Sequence, residues 1–382
     1  MRVCFQPLFF SGGTALKELA VEMAARGVLS THIVTTYDSG GSTAQLRKSF
    51  AMPAVGDLRN RLAALANRKR VGKAPLELIN FRFPIKISRI EAQERLTQLV
   101  YGREAWRAIP AEFADLFRHS LYIFRERMPG SFDARGANMG NLMLTGSFLE
   151  NGRDLLATIS LFAAVLKVQG TISPISEANL HLGARLRDGQ IIIGQEKFHQ
   201  LPARIEDIFL TVNESQDAAN MVSCSPAPAP GVLHAIEQAN PVCFPMGSFF
   251  SSILPHLLTT GVGRAVLESG APKVFIPNSG KDNEIEEVSL LEQLGHIMRL
   301  LAKDAPDYKK PLIDFVLMDR KNGQYNIGDW AQLEKFLANK GIKLMHVPFV
   351  DPANSQRHLP GALLEALKYI AGLYVPRLST AD

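Results

Sequence analysis

The spacing of apolar and polar positions alternates between strand and helix over the first seventy residues. Positions 1–10 and 31–37 form apolar runs that predict buried strands, and positions 15–26 have the period of an amphipathic helix. A strand, a helix and a strand in this order predict a right-handed βαβ unit in a parallel sheet. We expect a further helix over 57–67, with Asp57 as its N-cap.

The second half of the chain repeats this alternation after the proline-rich link at 225–231. The predicted helices are 231–239, 249–268, 284–302, 328–339 and 360–373, and the predicted strands are 241–245, 273–277, 313–318 and 342–347. Helical spacing over 139–168, interrupted near Gly152, predicts two more helices. Together these elements predict a doubly wound, mostly parallel, Rossmann-like α/β sheet.

Two segments interrupt the alternation. Residues 68–135 have helical periodicity and predict a helical insertion packed on the sheet, for which a lid is one interpretation. Residues 170–212 predict a small β-rich excursion, in which Asp188-Gly189 between apolar runs indicates a hairpin. We therefore expect residues 1–382 to form a single α/β domain that contains both segments.

Composition and charge narrow the classes of protein to which this chain can belong. With 46% hydrophobic and 21% charged residues the chain has the composition of a globular protein, which excludes global disorder. The net charge of +5 is concentrated between Asn67 and Gly136, where 14 Lys and Arg accompany 8 Asp and Glu. The aromatic residues among these arginines have helical spacing, which is typical of a core. Nucleic-acid binding through residues 68–127 is therefore the less favoured interpretation.

The cysteines and the apolar stretches indicate the cellular compartment of the protein. Cys4, Cys224 and Cys243 are too far apart for a CxxC pair, so we expect reduced, buried thiols. The longest apolar stretch, 155–168, is shorter than a bilayer span. The apolar N-terminus ends in a Gly-Gly turn, which favours a strand over a signal peptide. We expect a cytoplasmic protein without a membrane partner, and the sequence leaves open whether it forms a homo-oligomer.

Glycine-rich turns follow several predicted strands. Glycine lets the backbone approach an anion closely, and the free amides of a helix N-terminus point towards that anion. Because the carboxyl ends of parallel strands meet at one edge of the sheet, we expect these turns to share one phosphate-containing ligand. For the first turn, the alternative is a tight turn that requires a positive φ. The expected phosphate-binding positions are Gly12, Gly13, Thr14, Gly40, Gly41, Ser42, Gly247 and Ser248.

Charged and amide side chains near these turns complete the predicted site. Asp38 is the candidate ligand of a magnesium ion or of a ribose hydroxyl, and its alternative role is to cap a helix or form a turn. Asp38 and Asp57 are the candidate catalytic residues. Arg59 is expected to clamp phosphate. The amides expected to orient a nucleotide are Asn60, Asn141 and Asn278. The histidines are scattered, so nucleophilic catalysis is the less favoured chemistry.

Five ordered motifs together resemble the CofD/YvcK superfamily, which includes the 2-phospho-L-lactate transferase of deazaflavin-coenzyme synthesis and the YvcK-type gluconeogenesis factor. The family's GGTG is similar to GGTA at 12–15, and its ADDGGSSGRLR to YDSGGSTAQLR at 37–47. PPGDxRN is similar to AVGDLRN at 54–60, and GNLLLAG to GNLMLTG at 140–146. GPGSLYTSxLPNLL is similar to PMGSFFSSILPHLL at 245–258.

The chain departs from the family pattern at a few of these positions. Ala15 replaces the last glycine of GGTG, Ser39 replaces one of the paired aspartates, and Met246 replaces the proline of GPGS. Phe250 replaces a tyrosine that contacts ligand in the YvcK branch, and residues 278–282 replace the family's NVMTQ run. These changes leave the phosphate-binding turns in place and alter positions that would select the substrate, which indicates a divergent CofD-related branch.

The resemblance implies two different functions. A CofD-like enzyme would transfer a phospho-lactyl-type group from a nucleotide diphosphate carrier to an acceptor hydroxyl with the assistance of Mg²⁺, and Asp38 would position the metal or the acceptor. A YvcK-like protein would be a non-catalytic regulator that binds a UDP-sugar, and closure of the basic insertion would change its partner binding. The YvcK branch is the closer match at residues 56–60 and near Gly140. We nevertheless favour the transferase scaffold.

Overall fold

The computed structural model describes residues 5–102, 104–212 and 222–373. The strands are β1 Leu8–Ser11, β2 Ser30–Val34, β3 Gly170–Pro174, β4 His181–Leu186, β5 Ile191–Ile193, β6 Ile205–Thr211, β7 Ser223–Cys224, β8 Val242–Phe244, β9 Lys273–Phe275, β10 Phe315–Met318, β11 Lys343–His346, β12 Val350–Asp351 and β13 Asn354–His358. The helices are α1 Lys17–Ala25, α2 Gly41–Phe50, α3 Gly56–Leu65, α4 Arg68–Val71, α5 Lys73–Asn80, α6 Arg89–Tyr101, α7 Ala111–Arg127, α8 Met139–Glu150, α9 Leu155–Val165, α10 Val232–Glu237, α11 Val262–Glu268, α12 Leu290–Asp304, α13 Trp330–Lys340 and α14 Pro360–Leu373.

A seven-stranded sheet in the order β11-β10-β9-β8-β1-β2-β3 forms the centre of the fold, and its neighbouring strands all pair in parallel. Successive side chains of a strand point to opposite faces, so each face needs its own cover. Phe9 belongs to a buried apolar cluster with Met23 and Leu363 from α1 and α14, whereas Phe10 belongs to a different cluster with Val262 and Leu294 from α11 and α12. Helices therefore cover both faces, and the predicted doubly wound α/β class is confirmed.

The segment after α3 adds helices α4 to α7 beside the sheet. The phenylalanines of α7 are fully buried, and the ring of Phe117 stacks on Phe162 of α9 at a centroid distance of 5.9 Å. Ring contacts also join Phe124 to Phe50 of α2 and to Phe132. The aromatic residues between the arginines of this segment are therefore core residues, as their helical spacing predicts.

The β-rich segment divides between two sheets. Residues Gly170–Pro174 pair in parallel with β2 and so belong to the main sheet, whereas a separate antiparallel sheet in the order β5-β4-β6-β7 begins at His181. The separate sheet therefore begins later than the expected excursion over 170–212. The first strand of that segment belongs to the main sheet because Ile172 and Ile175 are buried in the two large cores beside it. The predicted hairpin at Asp188-Gly189 joins β4 to β5.

Some predicted helices begin or end elsewhere. The helix predicted over 249–268 is instead a π-helical turn at Phe249–Ile253, a 3₁₀ segment at Leu254–Leu258 and then α11, because Pro255 and Gly261 interrupt the α-helical bonding. The helix predicted from residue 284 begins at Leu290, where Ser289 and Glu292 form a capping box.

Asp57 does not cap its helix, which corrects that prediction. The N-cap of α3 is Val55, and Asp57 lies in the first turn with its carboxylate directed to another loop. Helix α2 and the hairpin of β12 and β13 are additional to the predicted elements.

The described residues contain no helix that is both long and apolar enough to cross a bilayer. Cys243 is a buried free thiol and Cys224 is a half-buried one, and Cys4 lies outside the described residues.

A buried ion pair stabilises the amino-terminal edge of the sheet. The Nζ atom of Lys273 lies 2.8 Å from Oδ2 of Asp314, and the same oxygen accepts the backbone N–H of Lys273 at 2.8 Å. The exposed fractions of the two side chains are only 6% and 11%. Each charge therefore depends on the other for its solvation.

We expect Asp314→Ala to lower the free energy of unfolding by about 3–5 kcal/mol, because it leaves the Lys273 ammonium buried without a counter-charge. Chemical denaturation monitored by circular dichroism measures this change. The double variant Lys273→Met, Asp314→Leu should recover most of the loss. A single variant as stable as the wild type would contradict the prediction.

Candidate functional site

A cleft of about 280 Å³ lies at the carboxyl ends of β1, β2, β8 and β9. Residues from distant parts of the chain meet there, as the strand-end argument expects. The predicted positions that line the cleft are Gly12, Gly13, Thr14, Asp38, Asp57, Gly247, Ser248 and Asn278. Lining residues that the sequence reasoning missed are Ala15, Thr35, Gln195, His199, Ser251 and Ser252.

The turn between β1 and α1 packs closely against the opposite side of the cleft. A Cβ atom on Gly12 would lie 2.8 Å from Cβ of Ser252, so a larger residue does not fit there without displacement. Gly13 has a φ of +58°, the left-handed conformation that the alternative interpretation of this turn requires. The N–H of Gly13 donates to Oδ2 of Asp57 at 2.8 Å. One turn amide is therefore directed to a carboxylate.

Asp38 lies beside Asp57 in an environment that disfavours its charge. Burial, and secondly the charge of Asp57, raise the pKa of Asp38 to about 6. Its Oδ1 accepts the N–H of Gly40 at 2.9 Å, and its Oδ2 lies 3.3 Å from the position that a Cβ atom on Gly56 would take. The turn interpretation of Asp38 therefore holds in part, and the carboxylate still reaches the cleft. A positive charge bound here would stabilise the ionised form.

A buried arginine that the sequence reasoning missed lies behind the first turn. Nη2 of Arg61 donates to the carbonyl oxygen of Gly13 at 3.4 Å, and Nε and Nη1 have no hydrogen-bond partner among the described residues. Burial lowers the pKa of Arg61 to about 10, although the charge of Asp57 opposes this shift. Arg61 occurs two positions after Arg59 in the GDLRNR stretch. The sequence gives no signal as to which of the two arginines faces the first turn.

Six predicted site residues do not line the cleft: Gly40, Gly41, Ser42, Arg59, Asn60 and Asn141. Arg59 is 8% exposed, and it donates to Oδ1 of Asn80 at 2.9 Å and to Oδ1 of Asn141 at 3.3 Å. Its guanidinium is thus directed to α5 and α8, because the insertion packs on that face of α3. Nδ2 of Asn141 donates to Oγ of Ser42 at 3.3 Å, and Nδ2 of Asn60 to Oδ1 of Asp57 at 3.5 Å.

A second buried carboxylate lies in the opposite wall. Glu284 accepts the backbone N–H groups of Phe250 and Ser251 at 2.9 and 3.0 Å, and the hydroxyl of Ser251 at 2.5 Å. Burial, and secondly the charge of Asp282, raise the pKa of Glu284 to about 7. Asp282 in turn accepts Nδ2 of Asn278 at 3.4 Å. The sequence reasoning assigned Glu284 to a helix and missed this role.

The small antiparallel sheet contributes the rim of the cleft. Gln195 and His199, which follow β5, are lining residues. Between them, Glu196 accepts a hydrogen bond from the hydroxyl of Ser39, at the end of the loop that carries Asp38. The rim therefore joins the small sheet to the loop after β2. No residue pattern in the sequence indicated this contact.

A family model described as 2-phospho-L-lactate transferase CofD matches residues 8–344. This match covers most of the chain, including every residue that lines the cleft. The chain belongs to the CofD family. The resemblance to this family that the sequence shows is thus confirmed.

Curated relatives of this CofD family member are named gluconeogenesis factor. The protein from Bacillus subtilis (strain 168) is 28% identical over 269 residues, which make up 70% of this chain and 66% of that protein. This chain therefore spans slightly less than two thirds of the relative's length. A putative gluconeogenesis factor from Thermotoga maritima is 26% identical over 347 residues, 86% of each chain.

The fold of this CofD family member is also found in a solved structure. A crystal structure of a Bacillus halodurans protein has a TM-score of 0.70 and 24% identity, and the match covers 95% of this chain and 99% of that one. This similarity concerns the fold alone.

We expect Asp38→Asn to stabilise the protein above a pH of about 6 when divalent cations are removed with EDTA. Because the folded pKa of Asp38 is raised from 3.8 to about 6, its ionisation opposes folding. The penalty grows between about pH 4 and pH 6 and reaches about 3 kcal/mol above that range. Below about pH 4 the carboxyl is protonated in the folded and unfolded chains, and the two proteins should unfold alike. Thermal unfolding at pH 8 and at pH 4 checks both expectations, and equal midpoints at pH 8 would refute the first.

Proposed function

We propose that the cleft binds a nucleotide diphosphate ligand and that the protein is a 2-phospho-L-lactate transferase-like enzyme. It would move a phospho-lactyl-type group from a nucleotide diphosphate carrier to an acceptor hydroxyl. The observation that supports this proposal best is the meeting of three strand-end turns and two carboxylates in one cleft. Membership of the CofD family supports the same chemistry.

In this proposal the turns hold the phosphates. Amides of the turn at Gly12 and Thr14, together with Gly247 and Ser248, would donate to phosphate oxygens, and Asn278 would orient the nucleotide. Transfer of a phosphorus-containing group depends mainly on positioning and on neutralisation of charge. A cleft lined by backbone and hydroxyl groups suits these requirements.

Magnesium fits the pair of Asp38 and Asp57. Mg²⁺ is commonly held by one or two carboxylates, and substrate phosphates and water complete its coordination. The raised pKa of Asp38 marks a position where a cation would stabilise the carboxylate. Among the described residues no group of three or more His, Cys, Asp and Glu side chains forms a metal site, so the remaining ligands would come from substrate and water. The bound ion would neutralise phosphate charge, and the two aspartates would orient it.

The six predicted residues outside the cleft would act by positioning. Asn60 bonds to Asp57, and Gly40 bonds to Asp38 through its backbone N–H. Arg59 and Asn141 form a buried layer with Ser42, which begins α2 with Gly41. We propose that this layer fixes the loop of Asp38 and that it does not contact phosphate.

We propose as a second candidate the function that the YvcK-type resemblance implies, a non-catalytic regulator that binds a UDP-sugar. The curated relatives, which are named gluconeogenesis factor, belong to that branch by name. The same cleft would hold the ligand, and the basic insertion would transmit its binding to a partner. The two candidates differ in turnover, and both require a nucleotide in the cleft.

We expect the protein, incubated with Mg²⁺ and a panel of nucleotide-linked phospho-lactyl donors and acceptors, to form a new phosphodiester that mass spectrometry detects. Asp38→Asn should lose at least 90% of this product because metal positioning fails. Asp115→Asn, on the exposed surface of α7, is the matched control and should retain full activity. Absence of product with every donor would argue against the transferase.

If the protein is such a regulator, we expect UDP-sugars to stabilise it against unfolding without being consumed. A ligand at 100 times its Kd adds about 2.7 kcal/mol to the free energy of unfolding. Thermal unfolding with and without UDP-sugar measures this effect, and chromatography of the recovered ligand tests for turnover. An unchanged unfolding midpoint with every UDP-sugar would remove the regulator from consideration.

A further inference from the structure

Glu284 and Ser251 form a buried pair in the wall of the cleft, opposite Asp38 and Asp57. Ser251 lines the cleft, whereas Glu284 lies behind it with 6% exposure. The Ser251 hydroxyl donates its only hydrogen to Oε1 of Glu284 at 2.5 Å, and Oε2 accepts two backbone N–H groups. Every acceptor contact of this carboxylate is thus directed to the segment that begins at Phe249.

The direction of this bond determines what Ser251 offers to a ligand. A serine hydroxyl has one hydrogen to donate and two lone pairs. While its hydrogen is directed to an ionised Glu284, Ser251 presents only lone pairs to the cleft. Phosphate oxygens are acceptors and cannot bond to those lone pairs. A phosphate at this wall therefore requires the hydroxyl to turn and Glu284 to supply a hydrogen in its place.

We propose that Glu284 takes up one proton when a phosphate-bearing ligand binds, and that this proton converts Ser251 from an acceptor into a donor towards the ligand. The proton comes from solvent and is held on Oε1, from which the carboxyl donates to Oγ of Ser251. The hydroxyl hydrogen of Ser251 is then directed to a phosphate oxygen. Oε2 keeps both backbone N–H groups, so the main chain does not move. This proposal rests on the proposed phosphate site.

The surroundings of Glu284 favour this proton uptake. The pKa of Glu284 is already raised to about 7 by burial and by Asp282, so protonation requires little free energy at neutral pH. The charge of a bound phosphate would raise that pKa further. The ionisable groups that line a neighbouring cavity together with Glu284, from its own loop and from the segment after β5, are His199, Arg204, Lys281, Glu286 and Glu287, and the charge of Asp282 acts on Glu284 directly. From α12, His296 contacts the ring of Phe250, and burial lowers the pKa of His296.

Isothermal titration calorimetry at pH 8 in HEPES and in Tris tests the proposal, with inorganic pyrophosphate, GDP and UDP as probes and saturating Mg²⁺. The difference in apparent enthalpy between the buffers gives the number of protons taken up. We expect close to one proton for the wild type, and an affinity that falls by up to about tenfold per pH unit above pH 8. Glu284→Gln keeps an oxygen for the two N–H groups and an N–H₂ that donates to Ser251. It should bind the probes without proton uptake and with a flat pH profile.

Matched variants assign the proton to its site. Glu287→Gln, in an exposed position of the same loop, should retain the uptake. His199→Asn should also retain it, since His199 is not part of the hydrogen-bonded pair of Glu284 and Ser251. Uptake that persists in Glu284→Gln, or that disappears in Glu287→Gln or His199→Asn instead, would overturn the proposal.

If the wild type bound none of the probes, the proposed phosphate site would be refuted. The protonation of Glu284 would then be measured in the protein without ligand. Infrared difference spectra between pH 8 and pH 6 should then show a protonated carboxyl band that Asp38→Asn retains in part and Glu284→Gln diminishes. A band unaffected by Glu284→Gln would refute the switch independently of any ligand.

Discussion

The hydrogen bond from the Gly13 amide to Asp57 joins two parts of the chain that are 44 residues apart. It ties the first turn of α3 to the turn between β1 and α1, and Arg61 holds the same turn from behind. Burial raises the pKa of Asp38 to about 6, and the charge of Asp57, which is fixed in this way beside it, contributes to the same shift. The polarity of the whole cleft follows from this constraint. Two carboxylates held side by side disfavour each other's ionisation, which supports the proposal that a cation binds between them.

The opposite wall of the cleft also holds a carboxylate whose charge is disfavoured by burial, but its hydrogen-bond partners are different. Glu284 accepts main-chain N–H groups and a hydroxyl, and no arginine or lysine side chain bonds to it among the described residues. Burial, and secondly the charge of Asp282, raise its pKa to about 7. We propose a metal ion at the first wall and a proton at the second. In these proposals both would balance the charge of a phosphate-bearing ligand beside the acidic residues Asp38 and Asp57.

The architecture and most of the strand-end turns were predictable from the sequence, because period and glycine placement are local signals. The partners of individual side chains were not. Arg59 and Arg61 are two residues apart on one helix, and only the packing of α5 and α8 directs Arg59 away from the cleft. Glu284 has helical neighbours in sequence, yet Ser289 starts the helix later and leaves the carboxylate free to turn inward. Contacts such as Ser39 with Glu196 depend on the placement of a second sheet, which no short pattern records.

The strand order places β1 between β2 and β8, so the two walls of the cleft come from segments of the chain that are almost two hundred residues apart in sequence. Three of the departures from the family pattern, at Met246, Phe250 and residues 278–282, occur in the later segment. Substitutions in the segment that forms one wall therefore leave the sequence of the other wall unchanged. Positions that would select the ligand can thus change in the later segment while Asp38 and Asp57 of the earlier segment stay in place.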